Sequence, residues 1–301
     1  MPKAEKHISV WAGMVLALLM ILCFPQAQAQ TLSWEELSFD ANAAHVDLGE
    51  SAVKDWDAFC AFLDGFETLE SVDMFGTKIG REEIELLSQR YPDVSFGWTM
   101  KFAEHTVRTD ATAFSTLHYS GEPEHTSVDF SILKYCENLR ALDIGHNAAK
   151  DLSFLYDLPE LRVLIIACNK VEDLTPLASL KHLEYLEMFS NWVEDLTPLE
   201  ELPYLAHLNI GYNNITDYTP LHQMPQLKRL WMKKSHSRAK APAIDKSIIA
   251  DLQEALPDCL IDYVSNPSEG GWRESIYFET FHEYFRTGEY RPFPDSPEEN
   301  R

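Results

Sequence analysis

A repeat of 22 residues fills the middle of this sequence and restricts its possible folds more than any other feature. In each copy, leucines stand in the frame LxxLxLxx and an asparagine follows. These asparagines are Asn147, Asn169, Asn191 and Asn213. A second signature, of the type Asp-Leu-Thr-Pro-Leu, recurs with the same period at Asp151, Asp173, Asp195 and Asp217, with a related copy at Asp129. A fixed period of this length is typical of a solenoid, in which each unit packs against its neighbours.

Both signatures have a structural explanation. Side chains alternate across a strand, so the leucines of each frame point into the stack and successive units form a parallel sheet. The asparagine amide can satisfy backbone groups where the chain leaves the strand. The aspartate of the second signature is suited to cap a short helical turn. One carboxylate per layer does not bring several oxygens to one point, as a calcium site requires, so we expect no metal ion and no cofactor.

The repeated frames resemble those of a known family. L-R-A-L-D-I-G-H-N begins at Leu139 and L-E-Y-L-E-M-F-S-N begins at Leu183. This pattern resembles the leucine-rich repeat family, in particular the 22-residue class found in bacterial internalins. With Gly271-Trp272-Arg273, the chain is also similar to secreted leucine-rich repeat proteins of clostridial bacteria. The resemblance implies an α/β solenoid with a parallel concave β-sheet, short helical turns on the convex side, and capping regions at both ends.

The chain divides into six predicted segments. Helical patterns alternate with degenerate strand frames before the repeats, which indicates an N-terminal cap. The aromatic residues between 272 and 285 are expected to cover the open C-terminal end of the solenoid, because terminal repeats need capping. The segments are a signal peptide (1–29), an N-terminal α/β capping subdomain with degenerate repeats (30–106), a transition segment (107–138), the regular repeats (139–234), a C-terminal cap (235–286) and a disordered tail (287–301).

The first 29 residues indicate secretion. Lys3 and Lys6 precede an apolar run, and Ala27-Gln28-Ala29 forms a small-residue cleavage pattern, as in a secretory signal peptide. A membrane anchor is the alternative, but the apolar run is short for a spanning helix. We therefore predict a secreted, extracellular protein that is not inserted in a membrane after cleavage.

The charge balance limits the class of partner. The chain has a formal net charge of −23 at pH 7. Phosphate binding needs a basic face, so this excess of acid disfavours nucleic acid as a partner. Arg229, Lys233 and Lys234 belong to a basic loop at residues 228–240. This loop either binds an anionic group of a partner or pairs with the protein's own acid, and the sequence leaves both possibilities open.

The outward positions of the predicted strands form a candidate partner-binding surface on the concave face. They combine aromatic, β-branched and charged side chains, a composition found at interaction hot spots. The candidate residues are Val163, Ile165, Tyr185, Glu187, Phe189, His207, Asn209, Tyr212, Arg229, Trp231 and Lys233. Two other interpretations remain: a sheet surface tolerates such residues without a function, or the C-terminal tail folds over them.

The sequence favours recognition over catalysis. It has no glycine-rich phosphate loop, G-x-S-x-G, H-E-x-x-H or C-x-x-C motif, so we predict that the protein is not an enzyme. Glu187 beside His207 is the acid and imidazole pair that a catalytic hypothesis would use. The leading hypothesis is a secreted, noncatalytic protein that recognises a protein or peptide through its concave face. The alternative is a module that binds carbohydrate or a cell-wall polymer through the concave aromatic side chains and the basic C-terminal edge.

Overall fold

The computed structural model describes residues 30–102, 105–116, 130–234, 244–268, 270–273 and 275–294. The predicted signal peptide lies outside these ranges. Within them, no helix has the length and apolar composition needed to span a membrane.

The N-terminal region contains a hairpin and a four-stranded sheet. The hairpin pairs β1 (Thr31–Trp34) with β2 (Leu37–Asp40), and the sheet contains β3 (His45–Asp47), β4 (Ser71–Ile79), β5 (Ser95–Phe102) and β6 (His105–Arg108). Strands β3 to β5 are parallel, and β6 runs antiparallel to β5. The two helical patterns form α1 (Trp56–Leu63) and α2 (Arg81–Arg90). Asp55 caps α1, because its Oδ1 accepts a hydrogen bond from the Ala58 N–H at 2.9 Å.

The repeats build a parallel sheet of seven short strands. Its strands are, in order, β7 (Ala113–Ser115), β8 (Ala141–Asp143), β9 (Val163–Ile165), β10 (Tyr185–Glu187), β11 (His207–Asn209), β12 (Arg229–Trp231) and β13 (Leu260–Asp262). Within the regular repeats, each residue pairs with the equivalent residue one repeat away, as Tyr185 does with Val163 and His207. The 22-residue period of the sequence therefore becomes the register of the sheet. The predicted parallel sheet is confirmed.

The convex side consists of short 3₁₀ helices. They span Phe130–Tyr135, Ser153–Asp157, Thr175–Ser179, Thr197–Glu201 and Thr219–Gln223. Four aspartates of the second signature, Asp151, Asp173, Asp195 and Asp217, each accept a hydrogen bond from the N–H two residues later, at 2.8–2.9 Å. Asp129 lies outside the described residues. The leucines between the sheet and these turns are buried. After the repeats come α3 (Lys246–Ala255), a 3₁₀ turn at Gly270–Trp272 and α4 (Ile276–Thr287).

The repeated asparagines form the predicted hydrogen-bond ladder. Asn191 Oδ1 accepts a hydrogen bond from the Val171 N–H at 3.0 Å, and its Nδ2 donates to the carbonyls of Ile166 at 2.8 Å and Met188 at 3.0 Å. Equivalent bonds join the layers around Asn169 and Asn213. The amides of Asn169, Asn191 and Asn213 therefore satisfy buried backbone groups in adjacent layers.

We expect Asn191→Ala to lower the free energy of unfolding by about 2–4 kcal/mol, because each buried backbone group left without a partner costs about 1–3 kcal/mol. Urea unfolding followed by circular dichroism measures this change. Asn214→Ala is the matched control, since Asn214 makes a long 3.5 Å contact at the surface, to the carbonyl of Trp192. Equal effects of the two substitutions would contradict the structural role of the ladder.

Candidate functional site

The structure brings the predicted binding residues together on one face of the repeat sheet. Val163, Tyr185, His207 and Arg229 form one row across the strands. Ile165, Glu187, Asn209 and Trp231 form a second row beside it. Phe189, Tyr212 and Lys233 follow the ends of their strands. The frame of the repeats therefore accounts for the two rows that lie within the strands.

The same residues are not an open surface. Tyr185 is 1% exposed, Glu187 is 0% exposed and Trp231 is 2% exposed. They are covered by residues 270–273 and 275–294, here called the C-terminal segment. The expectation that residues 272–285 cover the open end of the solenoid is wrong, because this segment lies across the concave face instead. The sequence left open whether the C-terminal tail folds over these residues, and in the structure it does.

The C-terminal segment crosses the sheet from β12 to β7. Its first turn places Gly271 beside Trp231. A Cβ added at Gly271 would lie 3.4 Å from the Trp231 ring, so the backbone packs closely against that ring. Helix α4 then runs across the face and ends at Gly288, whose φ of 76° lies in the left-handed region that favours glycine at a helix end. The Gly288 carbonyl accepts hydrogen bonds from the N–H groups of Thr112 at 3.1 Å and Ala113 at 3.0 Å.

Aromatic rings fill the space between α4 and the sheet. The Tyr185 ring centroid lies 4.5 Å from that of Phe281, 5.1 Å from that of Trp272 and 6.3 Å from that of Phe293. Phe293 is 1% exposed. The predicted disorder from residue 287 onward is therefore wrong up to residue 294, because one phenylalanine in this proline-rich stretch is buried against the sheet. Residues 295–301 lie outside the described ranges.

Glu187 is the buried charge at the centre of this contact. Its Oε2 accepts hydrogen bonds from Trp272 Nε1 at 2.6 Å and from the Tyr185 hydroxyl at 3.0 Å. Its Oε1 accepts a hydrogen bond from the Arg273 guanidinium at 2.5 Å. A buried carboxylate is tolerated when it is paired and hydrogen-bonded, and two of the three donors come from the C-terminal segment.

The predicted basic edge is partly engaged by the chain itself. The Arg229 guanidinium lies 4.7 Å from the Trp272 ring centroid and donates hydrogen bonds to the carbonyls of Gly271 at 3.1 Å and Trp272 at 3.3 Å. Lys233 Nζ donates to Asn266 Oδ1 at 2.8 Å. Residues 235–240 of the predicted loop 228–240 lie outside the described ranges.

The remaining candidates also contact the C-terminal part of the chain. The His207 ring centroid lies 4.2 Å from that of Tyr277. Asn209 Nδ2 donates to the Pro267 carbonyl at 2.9 Å, and the Tyr212 hydroxyl donates to Asn266 Oδ1 at 2.8 Å. Glu187 and His207, the pair considered for catalysis, are thus both buried beneath aromatic rings.

Asp143 is a buried carboxylate that was not among the predicted site residues. It holds the same outward position on β8 as Ile165 holds on β9. It is 4% exposed, and it accepts hydrogen bonds from the Gly145 N–H at 2.9 Å and from Ser115 Oγ at 3.2 Å. Burial, with a smaller contribution from the negative charge of Glu187, raises the pKa of Asp143 to about 7. The sequence signal that could have identified Asp143 as a site residue was its outward position in the repeat frame.

We expect the wild-type protein to lose stability relative to Asp143→Asn as the pH rises from about 4 to about 7. The ordinary aspartate pKa is about 3.9, so a raised pKa in the folded state means that folding favours the protonated form. That contribution is fully present below the ordinary pKa and is lost as the pH approaches the folded-state value. Urea unfolding of both proteins across this range measures the difference. A constant difference would contradict the raised pKa.

Comparison with known proteins identifies the repeats. Models of leucine-rich repeats match residues 159–201, as two copies, and residues 201–217. No curated protein is similar to this chain at a significant level.

Solved structures of repeat proteins are similar to this one. For internalin C2 of Listeria monocytogenes, the identity is 21% and the TM-score 0.41, over 73% of this chain and 80% of that one. For a second internalin of Listeria monocytogenes, the identity is 21% and the TM-score 0.41, over 68% of this chain and 57% of that one. For a leucine-rich repeat protein of Leptospira interrogans, the identity is 21% and the TM-score 0.45, over 67% of this chain and 50% of that one.

Proposed function

We propose that this chain, a leucine-rich repeat protein as its 22-residue pattern predicts, is a secreted and noncatalytic recognition protein whose concave face binds a segment of a partner protein. Leucine-rich repeat proteins commonly bind proteins, so the repeats themselves favour this class of function. The observation that carries the proposal is that the concave face holds a helix of the chain's own through side-chain contacts.

The chemistry of this contact favours a peptide over a carbohydrate. Glu187 accepts hydrogen bonds from an indole and a guanidinium group, which are protein side chains. The Tyr185 and Trp231 rings contact the Trp272 ring at centroid distances of 5.1 and 5.4 Å. The concave face is therefore suited to aromatic and cationic side chains.

Affinity capture from bacterial and host surface extracts tests the proposed function. Phe281→Ala with Tyr284→Ala removes two buried rings of α4 and weakens the cover. We expect this variant to retain a partner protein more strongly than the wild type does. Adding Tyr185→Ala and Trp231→Ala should abolish that capture, because it removes the two aromatic side chains that the partner would contact.

The matched control is Tyr156→Ala in the same Phe281→Ala, Tyr284→Ala protein, since Tyr156 lies on the convex side and is 53% exposed. It should leave capture unchanged. Circular dichroism establishes that the repeats remain folded in each variant. Capture that persists in the folded protein without Tyr185 and Trp231 would contradict binding by the concave face.

A further inference from the structure

We infer that the C-terminal segment is an intramolecular ligand of the concave face, and that a partner binds by displacing it with a helix of the same chemistry. This inference rests on the proposed function and names the class of partner. The partner helix carries aromatic side chains at positions i, i+4 and i+7, and a tryptophan-arginine pair precedes it.

The segment uses the side-chain spacing of a helix bound in a groove. Tyr277, Phe281 and Tyr284 stand at positions i, i+4 and i+7 of α4, which places them on one face of the helix. Tyr277 contacts His207 and Phe281 contacts Tyr185, while Tyr284 packs against Phe281 and is buried. Amphipathic helices that bind in the groove of another protein use anchors with this spacing.

The segment is attached to the sheet mainly by side chains. Among the described residues, its backbone–backbone hydrogen bonds to the rest of the chain involve Gly288 alone, with Thr112 and Ala113 as donors. Its other contacts include the aromatic rings, the Glu187 hydrogen bonds, the Arg229 contacts and a hydrogen bond from the Tyr290 N–H to Thr112 Oγ1 at 2.8 Å. The segment therefore does not extend the sheet, and its departure leaves the ladders of the repeats intact.

The fit between the segment and the face is incomplete. The Trp231 indole nitrogen is buried and has no hydrogen-bond partner within the described part of the chain. Asp143 is buried, and among the described cations none lies within ion-pair distance of its carboxylate, although the more distant charge of Arg273 lowers its pKa slightly against the effect of burial. Both groups cost free energy in the covered state. A partner that supplies an acceptor to Trp231 and a cation to Asp143 gains contacts that the chain's own segment does not make.

The residues that connect β13 to the C-terminal segment are anchored, so release of the segment begins after them. Asn266 and Pro267 are held by Tyr212, Lys233 and Asn209 on the concave side. The C-terminal segment begins just after this anchor with two glycines, Gly270 and Gly271, which give the backbone freedom at that point. The anchor keeps the segment close to its site, at an effective concentration in the range of about 1 mM or above, which a free competitor must overcome.

Peptide exchange tests the inference in the full chain. A protease site is inserted after Ser268, so that cleavage separates the segment from the anchor without removing any residue. A fluorescent peptide of residues 270–294 is then added, and its anisotropy is measured. We expect the peptide to bind the cleaved protein at least about 100-fold more tightly than the uncleaved protein, because cleavage removes the effective concentration of the tethered segment.

Peptide variants test the chemistry of recognition. Trp272→Phe removes the indole donor to Glu187, and Arg273→Gln replaces the charged guanidinium with a neutral amide; each should weaken binding at least about tenfold, as expected for buried hydrogen bonds to a charged group. Glu279→Gln is the matched control, because Glu279 is exposed on α4, and it should not change the affinity. Equal binding by all four peptides would overturn the assigned chemistry.

Two further results would overturn the inference. One is a cleaved protein that stays folded, retains its own segment and does not exchange it over several days. The other is cleavage that unfolds the repeats, which circular dichroism detects, because the segment would then be part of the folding core. After either result, the proposed function would still stand if partner capture depended on Tyr185 and Trp231. Peptide exchange together with capture that is independent of these residues would instead remove the proposed function and leave an intramolecular ligand only.

Discussion

Trp272→Ala is expected to lower the free energy of unfolding by about 3–5 kcal/mol, the usual range for deleting a fully buried aromatic side chain. Trp272 is 0% exposed, and its ring contacts Tyr185, Trp231 and the Arg229 guanidinium. Its indole also donates to Glu187 at 2.6 Å, so the substitution leaves that carboxylate short of a donor. Urea unfolding followed by circular dichroism measures the change.

Two further substitutions calibrate the effect of Trp272→Ala. Trp272→Phe keeps an aromatic ring and removes the indole N–H, so we expect a smaller loss of about 1–3 kcal/mol. Trp192→Ala changes a tryptophan that is 40% exposed, and it should cost less than about 1 kcal/mol. If Trp272→Ala cost no more than Trp192→Ala, the C-terminal segment would not be packed on the concave face.

Arg273→Ala is expected to lower the free energy of unfolding by about 3–5 kcal/mol, because it leaves Glu187 buried without its countercharge. Glu187→Gln in the same protein should restore much of that loss, since a neutral amide needs no countercharge. Glu187→Gln alone keeps one acceptor oxygen for the Trp272 indole and should have a smaller effect. Urea unfolding of the wild type, both single variants and the double variant gives the coupling energy of the pair.

The strength of the Glu187–Arg273 interaction should also depend little on salt. Glu187 is fully buried, and buried pairs are screened much less than surface pairs. The exposed pair between Lys181 and Glu201, at 2.8 Å, provides the comparison, because a surface pair contributes little and weakens with salt. Effects of Arg273→Ala and Glu187→Gln that add within about 0.5 kcal/mol would contradict the coupling.

The repeats could be predicted because their signals are local and periodic. The inward leucines, the asparagine ladder and the aspartate caps each follow from one 22-residue frame, and the structure places Asn191 and Asp195 in the predicted roles. The same frame gave the two rows of candidates that lie within the strands. The alternation of side chains across a strand was sufficient for that, since it requires no knowledge of distant contacts.

The cover over that face could not be located from the sequence. Tyr277, Phe281 and Tyr284 indicate an aromatic helix face that needs burial, but no repeat relates this helix to a particular surface. The aromatic face of this helix could have been buried against either the end of the solenoid or the concave sheet. Phe293 stands between prolines and charges, so composition alone indicated disorder. The raised pKa of Asp143 likewise depends on how deeply the folded chain buries its carboxylate, which the repeat frame does not specify.

The hydrogen bonds from Thr112 and Ala113 to Gly288 join the first strand of the repeat sheet to a residue near the end of the chain. A ribosome makes a protein from its N-terminus, so β7 to β13 are complete before the residues that cover them exist. During that interval Tyr185 and Trp231 have no C-terminal segment above them. The order of synthesis therefore gives the concave face an interval without its cover, which no displacement step is needed to produce.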